Sequence, residues 1–113
     1  MPYIQIRTNV RIDEAQAKVM KSVVGKDIQL LPGKSEAWLM VEIEDQRKLF
    51  FQGSEEPCAI AEVKVYGSSD PESYQKLTAK ITANLQQMLN LRKDRIYVEY
   101  EETEHWGYAG ENF

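Results

Sequence analysis

Residues 59–101 decide the fold, with the sequence AIAEVKVYGSSDPESYQKLTAKITANLQQMLNLRKDRIYVEYE. Apolar and polar residues alternate over 59–66 and over 96–100, which is typical of half-buried strands. Between them, Asp70 precedes Pro71, the residue types expected at the N-cap and first position of a helix. Apolar residues then recur at helical spacing, namely Tyr74, Leu77, Ile81, Leu85, Met88 and Leu89. The stretch therefore predicts a strand–helix–strand unit.

The N-terminal half repeats this order of elements with different residues. Apolar and polar residues alternate after Pro2, and Asp13 with Gln16 three residues on has the spacing of a capping box. Apolar residues at helical spacing follow, although Gly25 weakens the helix prediction slightly. We predict a strand over 3–8, a helix from Asp13 to the turn Leu31-Pro32-Gly33, a strand over 38–44 and a short strand around 48–51.

Two strand–helix–strand units imply one four-stranded α/β sheet, classed as α+β in some schemes. Strands within each unit should run parallel, with right-handed crossovers, and both helices should cover one face. The other face would carry a mixed set of side chains, namely Gln5, Met40, Glu62, Lys64, Tyr97 and Glu99. This set is too polar for a core and too aromatic for a plain solvated face. It predicts self-association, with an open solvated sheet face as the alternative.

Length and charge exclude several classes of protein. The 113 residues suit one domain spanning 1–113, and a net charge of −4 without a basic block argues against nucleic acid and anionic membranes as partners. We find no apolar run long enough for membrane insertion and no signal peptide. We expect a cytoplasmic protein, with export by a non-classical route left open.

Metal and redox chemistry find little support in the residue types. Cys58 is the only cysteine and His105 the only histidine. One cysteine cannot form an internal disulfide, and one histidine with scattered carboxylates does not make a zinc site. We therefore expect no metal and no cofactor.

Pro2 is the candidate catalytic residue because removal of Met1 would leave it as a free secondary amine. An α-amino group has a pKa of roughly 7.7–8.0, already close to neutral. Burial or a nearby lysine would lower this pKa further, because both disfavour the charged form. A neutral amine held by a strand is suited to act as a general base. The alternative is that a proline follows the initiator methionine by chance.

Four segments together point to a known family. They are Met1-Pro2-Tyr3-Ile4 with Thr8-Asn9-Val10, Gly53-Ser54-Glu55-Glu56-Pro57-Cys58-Ala59, Asp94-Arg95-Ile96-Tyr97-Val98-Glu99-Tyr100, and Trp106-Gly107-Tyr108 with Asn112-Phe113. The four segments match in order and spacing, and the chain matches in total length, so that it resembles the macrophage migration inhibitory factor (MIF) and D-dopachrome tautomerase family of the tautomerase superfamily. The resemblance covers essentially the whole chain.

The resemblance implies a fold, an assembly and a reaction. The fold is two βαβ units in one sheet, with extra short strands at the subunit interface. The assembly is a homotrimer whose active sites lie between subunits. In the reaction, the N-terminal proline, here Pro2, moves a proton in a small keto–enol acid such as phenylpyruvate.

The resemblance also implies substrate-binding residues. Lys34 follows the Pro32-Gly33 turn where the family has an active-site lysine, although it would otherwise be taken for a solvated loop residue. Tyr66 stands where the family has an aliphatic residue that offers its backbone to the substrate. Tyr97 matches a pocket tyrosine from the neighbouring subunit, with interface packing as the alternative. The aromatic residues Trp106, Tyr108 and Phe113 would form an apolar wall for an aryl substrate or fix the C-terminus.

Two positions depart from the family pattern. Glu99 stands where MIF has a pocket asparagine, and a carboxylate there would repel an anionic substrate and raise the pKa of Pro2. Cys58 matches the first cysteine of the C-x-x-C motif of MIF, but Ala61 stands at the second position. We therefore expect no disulfide-type oxidoreductase activity and interpret Cys58 as a small buried residue.

Three functions remain open. The first is a phenylpyruvate-type keto–enol tautomerase, and the second is a secreted MIF-like protein that binds a cell-surface receptor. The third is a tautomerase for another substrate, such as an unsaturated dicarboxylate. That substrate would need a second cation, and neither Arg7 nor Arg11 near the first strand has an evident reason to face the pocket.

Overall fold

The computed structural model describes residues 1–113 and contains one mixed four-stranded sheet, two α-helices on one of its faces and a small C-terminal hairpin. The bounds are β1 Pro2–Thr8, α1 Glu14–Asp27, β2 Met40–Glu44, β3 Ala59–Tyr66, α2 Pro71–Leu89, β4 Ile96–Thr103, β5 Gly107–Tyr108 and β6 Glu111–Asn112. Single 3₁₀ turns cover Ile28–Leu30, Glu36–Trp38 and Lys93–Arg95.

The sheet confirms the two βαβ units. Its strand order is β2-β1-β3-β4, with β1 parallel to β2 and β3 parallel to β4. The central pair, β1 and β3, runs antiparallel, and Pro2 lies opposite Val65 in the register. The start of the chain is therefore held at the C-terminal end of β3.

The core lies between the sheet and the helices because each strand buries every second side chain. Ile4 and Ile6 of β1 are buried together with Ala61, Val63 and Val65 of β3. From α2 the predicted stripe supplies four buried side chains, Leu77, Ile81, Leu85 and Leu89, whereas Tyr74 and Met88 are half-buried at its edge. Removing these apolar surfaces from water is the main stabilising contribution to the fold.

Both predicted helix caps form. The Asp13 side chain accepts from the Gln16 backbone N–H at 2.8 Å, and the Gln16 side chain accepts from the Asp13 backbone N–H at 3.0 Å. Asp70 accepts from the Ser73 backbone N–H at 2.8 Å, and Pro71 begins α2. These bonds satisfy backbone donors that have no partner within the helix.

Gly25 does not interrupt α1. The glycine is buried, and a Cβ at this position would clash with the carboxylate of Glu36. Glycine therefore occupies this helical position despite its low helix propensity, because the Glu36 side chain from the following loop packs against the helix there.

Two predicted element bounds and one predicted strand need correction. The first helix ends at Asp27 and tightens into the 3₁₀ turn before Leu31, and β2 begins at Met40 because another 3₁₀ turn precedes it. The short strand expected around 48–51 does not form, and Phe51 makes only an isolated bridge with Ser54. Leu49 and Phe51 are instead half-buried in a loop whose carbonyls are bound by Arg95, whereas Phe50 is 61% exposed.

The sheet face opposite the helices carries the predicted mixed set of side chains. Met40 is 68% exposed and Tyr97 is 57% exposed, while Gln5, Glu62 and Lys64 are half-buried.

No helix in the structure is both long enough and apolar enough to cross a membrane.

Candidate functional site

The N-terminus is fixed at one end of the central strand pair of the sheet. Pro2 is fully buried, and the backbone N–H of Tyr66 donates to the carbonyl oxygen of Met1 at 3.1 Å. The first peptide is therefore part of the β1–β3 ladder. Its position next to Val65 and Tyr66 is set by the same alternation that fills the core.

Lys34 reaches this end of the sheet from the loop after α1. Its ammonium donates to the carbonyl oxygen of Tyr66 at 3.1 Å. Burial lowers the pKa of the amino group of Met1 from its ordinary value, and the positive charge of Lys34 lowers it further. Both effects disfavour the charged amine. The structure therefore brings Pro2, Lys34 and Tyr66 together at one end of the sheet.

Aromatic side chains lie beside this end of the sheet, although Tyr108 and Phe113 are about half exposed. The Tyr66 and Phe113 rings have centroids 5.7 Å apart, and the Tyr108 ring stacks near Phe113 at 6.3 Å. The hairpin of β5 and β6 positions these rings, and the Phe113 backbone N–H donates to the Trp106 carbonyl at 3.0 Å. Of the three C-terminal aromatic residues predicted from the sequence, Phe113 thus lies beside Tyr66 and Tyr108 beside Phe113, while Trp106 is joined to them through its backbone.

A groove of about 450 Å³ opens beside Pro2. Its lining includes the expected Trp106 and Tyr108 and further residues that the sequence analysis did not select for the site, namely Met1, Tyr3, Trp38, Met40 and Lys64. Trp38 meets Tyr108 edge to face with centroids 5.2 Å apart. Its distance of four residues from Lys34 was the available signal in the sequence, but the alternating pattern led us to assign Trp38 to a strand, whereas the structure places it in a 3₁₀ turn.

Tyr97 and Glu99 lie away from Pro2 within one chain. Along the register, Pro2 lies opposite Val65 and Val65 lies opposite Glu102, which is five residues beyond Tyr97. At about 3.3 Å per residue this separation is roughly 17 Å along the strand. Within its own chain Tyr97 packs against Phe51 with ring centroids 4.7 Å apart.

Glu99 belongs to a cluster of carboxylates on the open face. Oxygen atoms of Glu62, Glu99 and Glu101 lie within 4.8 Å of one another, although the sequence analysis treated the carboxylates as scattered. Partial loss of solvent around the exposed Glu99 raises its pKa, and the neighbouring Glu101 raises it further. Oxygen ligands of this kind suit hard cations, but exposed acidic residues alone do not specify a metal site.

Cys58 is buried, as expected, and its backbone makes two hydrogen bonds to β1 and the residue after it. It is 1% exposed, and its carbonyl oxygen accepts from the hydroxyl of the buried Thr8 at 2.6 Å. Its backbone N–H donates to the side chain of Asn9 at 3.0 Å. These contacts join the end of β1 to the start of β3.

Comparisons with known proteins agree with this geometry. The family model described as macrophage migration inhibitory factor matches residues 1–112. A Brugia malayi protein named as a MIF homolog is 31% identical over 107 residues, covering 92% of this chain and 90% of its own length.

Solved structures show the same architecture. The MIF2 protein of Leishmania major superposes with a TM-score of 0.93 at 30% identity, covering 100% of this chain and 97% of that protein. The MIF homologue of Prochlorococcus marinus gives a TM-score of 0.88 at 27% identity, covering 98% of both chains. The fold is therefore that of the tautomerase superfamily, and the chain belongs to the macrophage migration inhibitory factor family.

Proposed function

We propose that this protein is a keto–enol tautomerase of the phenylpyruvate type, with Pro2 as the general base after removal of Met1. The observation that carries the proposal is the burial of the N-terminus beside the Lys34 ammonium. Burial and positive charge lower the pKa of an amine wherever they act. The same surroundings would keep the Pro2 amine neutral near pH 7.

The reaction transfers one proton and needs no cofactor. The Pro2 nitrogen removes a proton from the carbon next to the keto group, and the C–H electrons form the carbon–carbon double bond. The carbonyl oxygen gains the displaced electron pair and takes the proton back from the protonated Pro2, which gives the enol and returns Pro2 to its neutral form. The reverse direction returns the proton from Pro2 to carbon. The ammonium of Lys34 would bind the substrate carboxylate, and this charge-assisted bond would hold the reacting carbon near Pro2.

The other residues of the site would hold and complete the pocket. The backbone of Tyr66 would contact the substrate, and the rings of Trp106, Tyr108 and Phe113 would provide an apolar wall. Tyr97 lies too far from Pro2 of its own chain to contribute to that pocket. We therefore propose a homotrimer with active sites between subunits, in which Tyr97 and Glu99 of one protomer reach the pocket of another.

Glu99 sets an expectation for the level of activity. A carboxylate in the pocket repels an anionic substrate and favours the protonated form of Pro2. The pKa of Glu99 is itself raised by partial desolvation and by Glu101, and a raised pKa reduces the charge of this carboxylate at acidic pH. We expect turnover with phenylpyruvate to be weaker than in a relative with a neutral residue at this position.

The test is phenylpyruvate tautomerisation by purified, untagged protein, followed by ultraviolet absorbance. Pro2→Gly should lose most of the turnover, because a primary amine replaces the secondary amine. Pro71→Ala is the matched control, since this proline begins α2 on the helical side of the sheet. Equal activity in Pro2→Gly and the natural protein would exclude Pro2 as the base. Light scattering on the same samples would test the trimer.

The alternative function is a secreted protein that binds a cell-surface receptor, with tautomerase activity secondary. We expect a cytoplasmic location, with non-classical export as the route required by this alternative. Receptor binding that persists in Pro2→Gly, with no phenylpyruvate turnover in either protein, would favour the alternative.

A further inference from the structure

We infer that the hydrogen-bonded pair of Tyr3 and Glu42 positions the Pro2 amine for proton transfer. The inference rests on the proposed function, because it concerns the same site, and it adds two residues that the sequence analysis did not select. Tyr3 follows Pro2 directly on β1, and Glu42 lies on the neighbouring β2. Both act through Pro2 and are therefore positioning residues rather than catalytic residues.

Removal of Met1 takes away one anchor of the N-terminus. With Met1 present, the backbone N–H of Tyr66 donates to the Met1 carbonyl oxygen at 3.1 Å. The cleavage that would free the Pro2 amine also removes this carbonyl, and Pro2 becomes the first residue of the strand. The direction of the amine then depends on the residue to which Pro2 is still joined, which is Tyr3.

Tyr3 is attached to both strands that flank β1. Its partners in the register are Met40 of β2 and Lys64 of β3. Its hydroxyl donates to a carboxylate oxygen of Glu42 at 2.5 Å, and the Lys64 ammonium lies 5.9 Å from the centre of its ring. Tyr3 lines the groove together with Pro2. The side chain next to the amine is therefore held from two sides.

Glu42 is itself held in place by its neighbours. The amide nitrogen of Gln5 donates to the same Glu42 oxygen at 3.1 Å and to Glu44 at 3.1 Å. Glu44 in turn accepts from Arg7 at 3.2 Å. A hydrogen bond to a carboxylate is shorter and stronger than one between neutral groups. The chain of bonds along β1 and β2 thus gives the Tyr3 hydroxyl an acceptor with a fixed position.

The contribution of Tyr3 is geometric, because its hydroxyl is unsuited to exchange protons with the substrate. The hydrogen bond to Glu42 is the main cause that raises the pKa of Tyr3 to about 12, far above the range in which a neutral Pro2 amine would act. A base must hold the reacting atoms about 3–3.5 Å apart, and a misplacement of about 1 Å can cost roughly 100-fold in rate. Fixing the Tyr3 side chain restricts the peptide that joins it to Pro2, and this restricts the direction of the amine.

The test separates the hydrogen bond from the ring. Tyr3→Phe keeps the ring and removes the donor, Glu42→Leu removes the acceptor, and Glu42→Gln keeps an acceptor oxygen. We expect kcat for phenylpyruvate to fall about tenfold in Tyr3→Phe and in Glu42→Leu, with KM changed less than about twofold, as expected when one hydrogen bond that orients the base is lost. Glu42→Gln should retain most of the turnover. The double variant should be no slower than either single variant, because both substitutions remove the same bond.

Tyr74→Phe is the matched control. The Tyr74 hydroxyl also donates to a carboxylate, that of Glu102 at 2.6 Å, but this tyrosine lies on α2 and does not line the groove. The control should retain the natural kcat. A natural kcat in Tyr3→Phe, an equal loss in Tyr74→Phe, or a double variant much slower than both single variants would overturn the inference.

A second measurement needs no turnover. In Met1-free protein labelled with ¹⁵N-proline, the nuclear magnetic resonance signal of the Pro2 nitrogen should shift and broaden in Tyr3→Phe and in Glu42→Leu, because the amine samples more orientations. Tyr74→Phe should leave the signal as in the natural protein. A Pro2 signal that is identical in all four proteins would overturn the inference, whether or not phenylpyruvate is the substrate. Full activity in Pro2→Gly would instead overturn the proposed function, and the Pro2 signal would still report the effect of Tyr3 on the amine.

Discussion

Replacing Arg95 with methionine should destabilise the protein strongly, because this side chain is a buried hub of hydrogen bonds. Arg95 is 3% exposed, and its guanidinium donates to four backbone carbonyl oxygens at 3.0–3.1 Å, those of Phe51, Ser54, Glu56 and Pro57. It also lies 5.3 Å from the centre of the Phe51 ring. The loop that replaces the expected strand at 48–51 is therefore held by Arg95 together with the Asn9 side chain, whose amide donates to the carbonyls of Leu49, Glu55 and Glu56.

The size of the effect follows from these contacts. A hydrogen bond to a charged group contributes roughly 1.5–3 kcal/mol, and such values do not add when the bonds share one side chain. Removing the guanidinium leaves buried carbonyl oxygens without this donor, at about 1–3 kcal/mol for each unsatisfied group, and partial relaxation of the four groups together gives about 3–5 kcal/mol. We expect a loss of this size for Arg95→Met, a large part of the roughly 5–15 kcal/mol stability of a typical domain. Arg95→Lys should lose less stability than Arg95→Met but still be less stable than the natural protein, because an ammonium has three donors for four acceptors.

The assay is urea unfolding at one fixed protein concentration, since self-association would make the midpoint concentration-dependent. Arg92→Met is the matched control, because Arg92 is exposed and pairs with Asp94 at 3.0 Å. The control should change the free energy of unfolding by less than about 1 kcal/mol. A loss in Arg95→Met no larger than in Arg92→Met would refute the reasoning.

Further predictions concern the amine, a tyrosine and a helix cap. Lys34→Gln should lower kcat/KM for phenylpyruvate by roughly 10- to 100-fold, as expected for a lost charged hydrogen bond. The same substitution should shift the acidic limb of the pH–rate profile to higher pH, because the cation that lowers the pKa of the Pro2 amine is gone. Glu42→Gln should lower the pKa of Tyr3, raised to about 12 chiefly by its hydrogen bond to Glu42, in an ultraviolet titration. Asp13→Ala should cost about 1 kcal/mol in thermal unfolding.

Each of these results has a clear opposite. An unchanged acidic limb in Lys34→Gln would show that this ammonium does not influence the catalytic amine. A Tyr3 pKa still near 12 in Glu42→Gln would assign the shift to another cause. Unaltered thermal stability in Asp13→Ala would mean that the capping box observed at α1 contributes nothing measurable.

The strand–helix–strand pattern could be predicted because local chemistry determines it. Alternation over β3 and the Asp70-Pro71 pair act within a few residues, and both appear where expected. The fate of 48–51 could not be predicted, because its apolar residues suit a strand and the competing partner, Arg95, is distant in sequence. Long-range contacts override local propensity in such segments.

The candidate site was predictable only in part. Pro2 and Lys34 were selected for their chemistry and the family resemblance, and the structure places both near Tyr66. Trp38 and Lys64 were not selected, because the groove forms where the C-terminal hairpin meets the start of β2. Contacts between segments that are distant in sequence produce no periodic pattern from which they could be predicted.

The most direct test of the proposed base is the pKa of the Pro2 amine in the natural protein, measured by nuclear magnetic resonance titration of ¹⁵N-proline-labelled material after mass spectrometry has identified the first residue. The account predicts that Met1 is absent and that the amine titrates clearly below roughly 7.7–8.0, the ordinary range of an α-amino group. Retention of Met1, or an amine pKa within or above that range, would contradict the claim that Pro2 is a neutral general base.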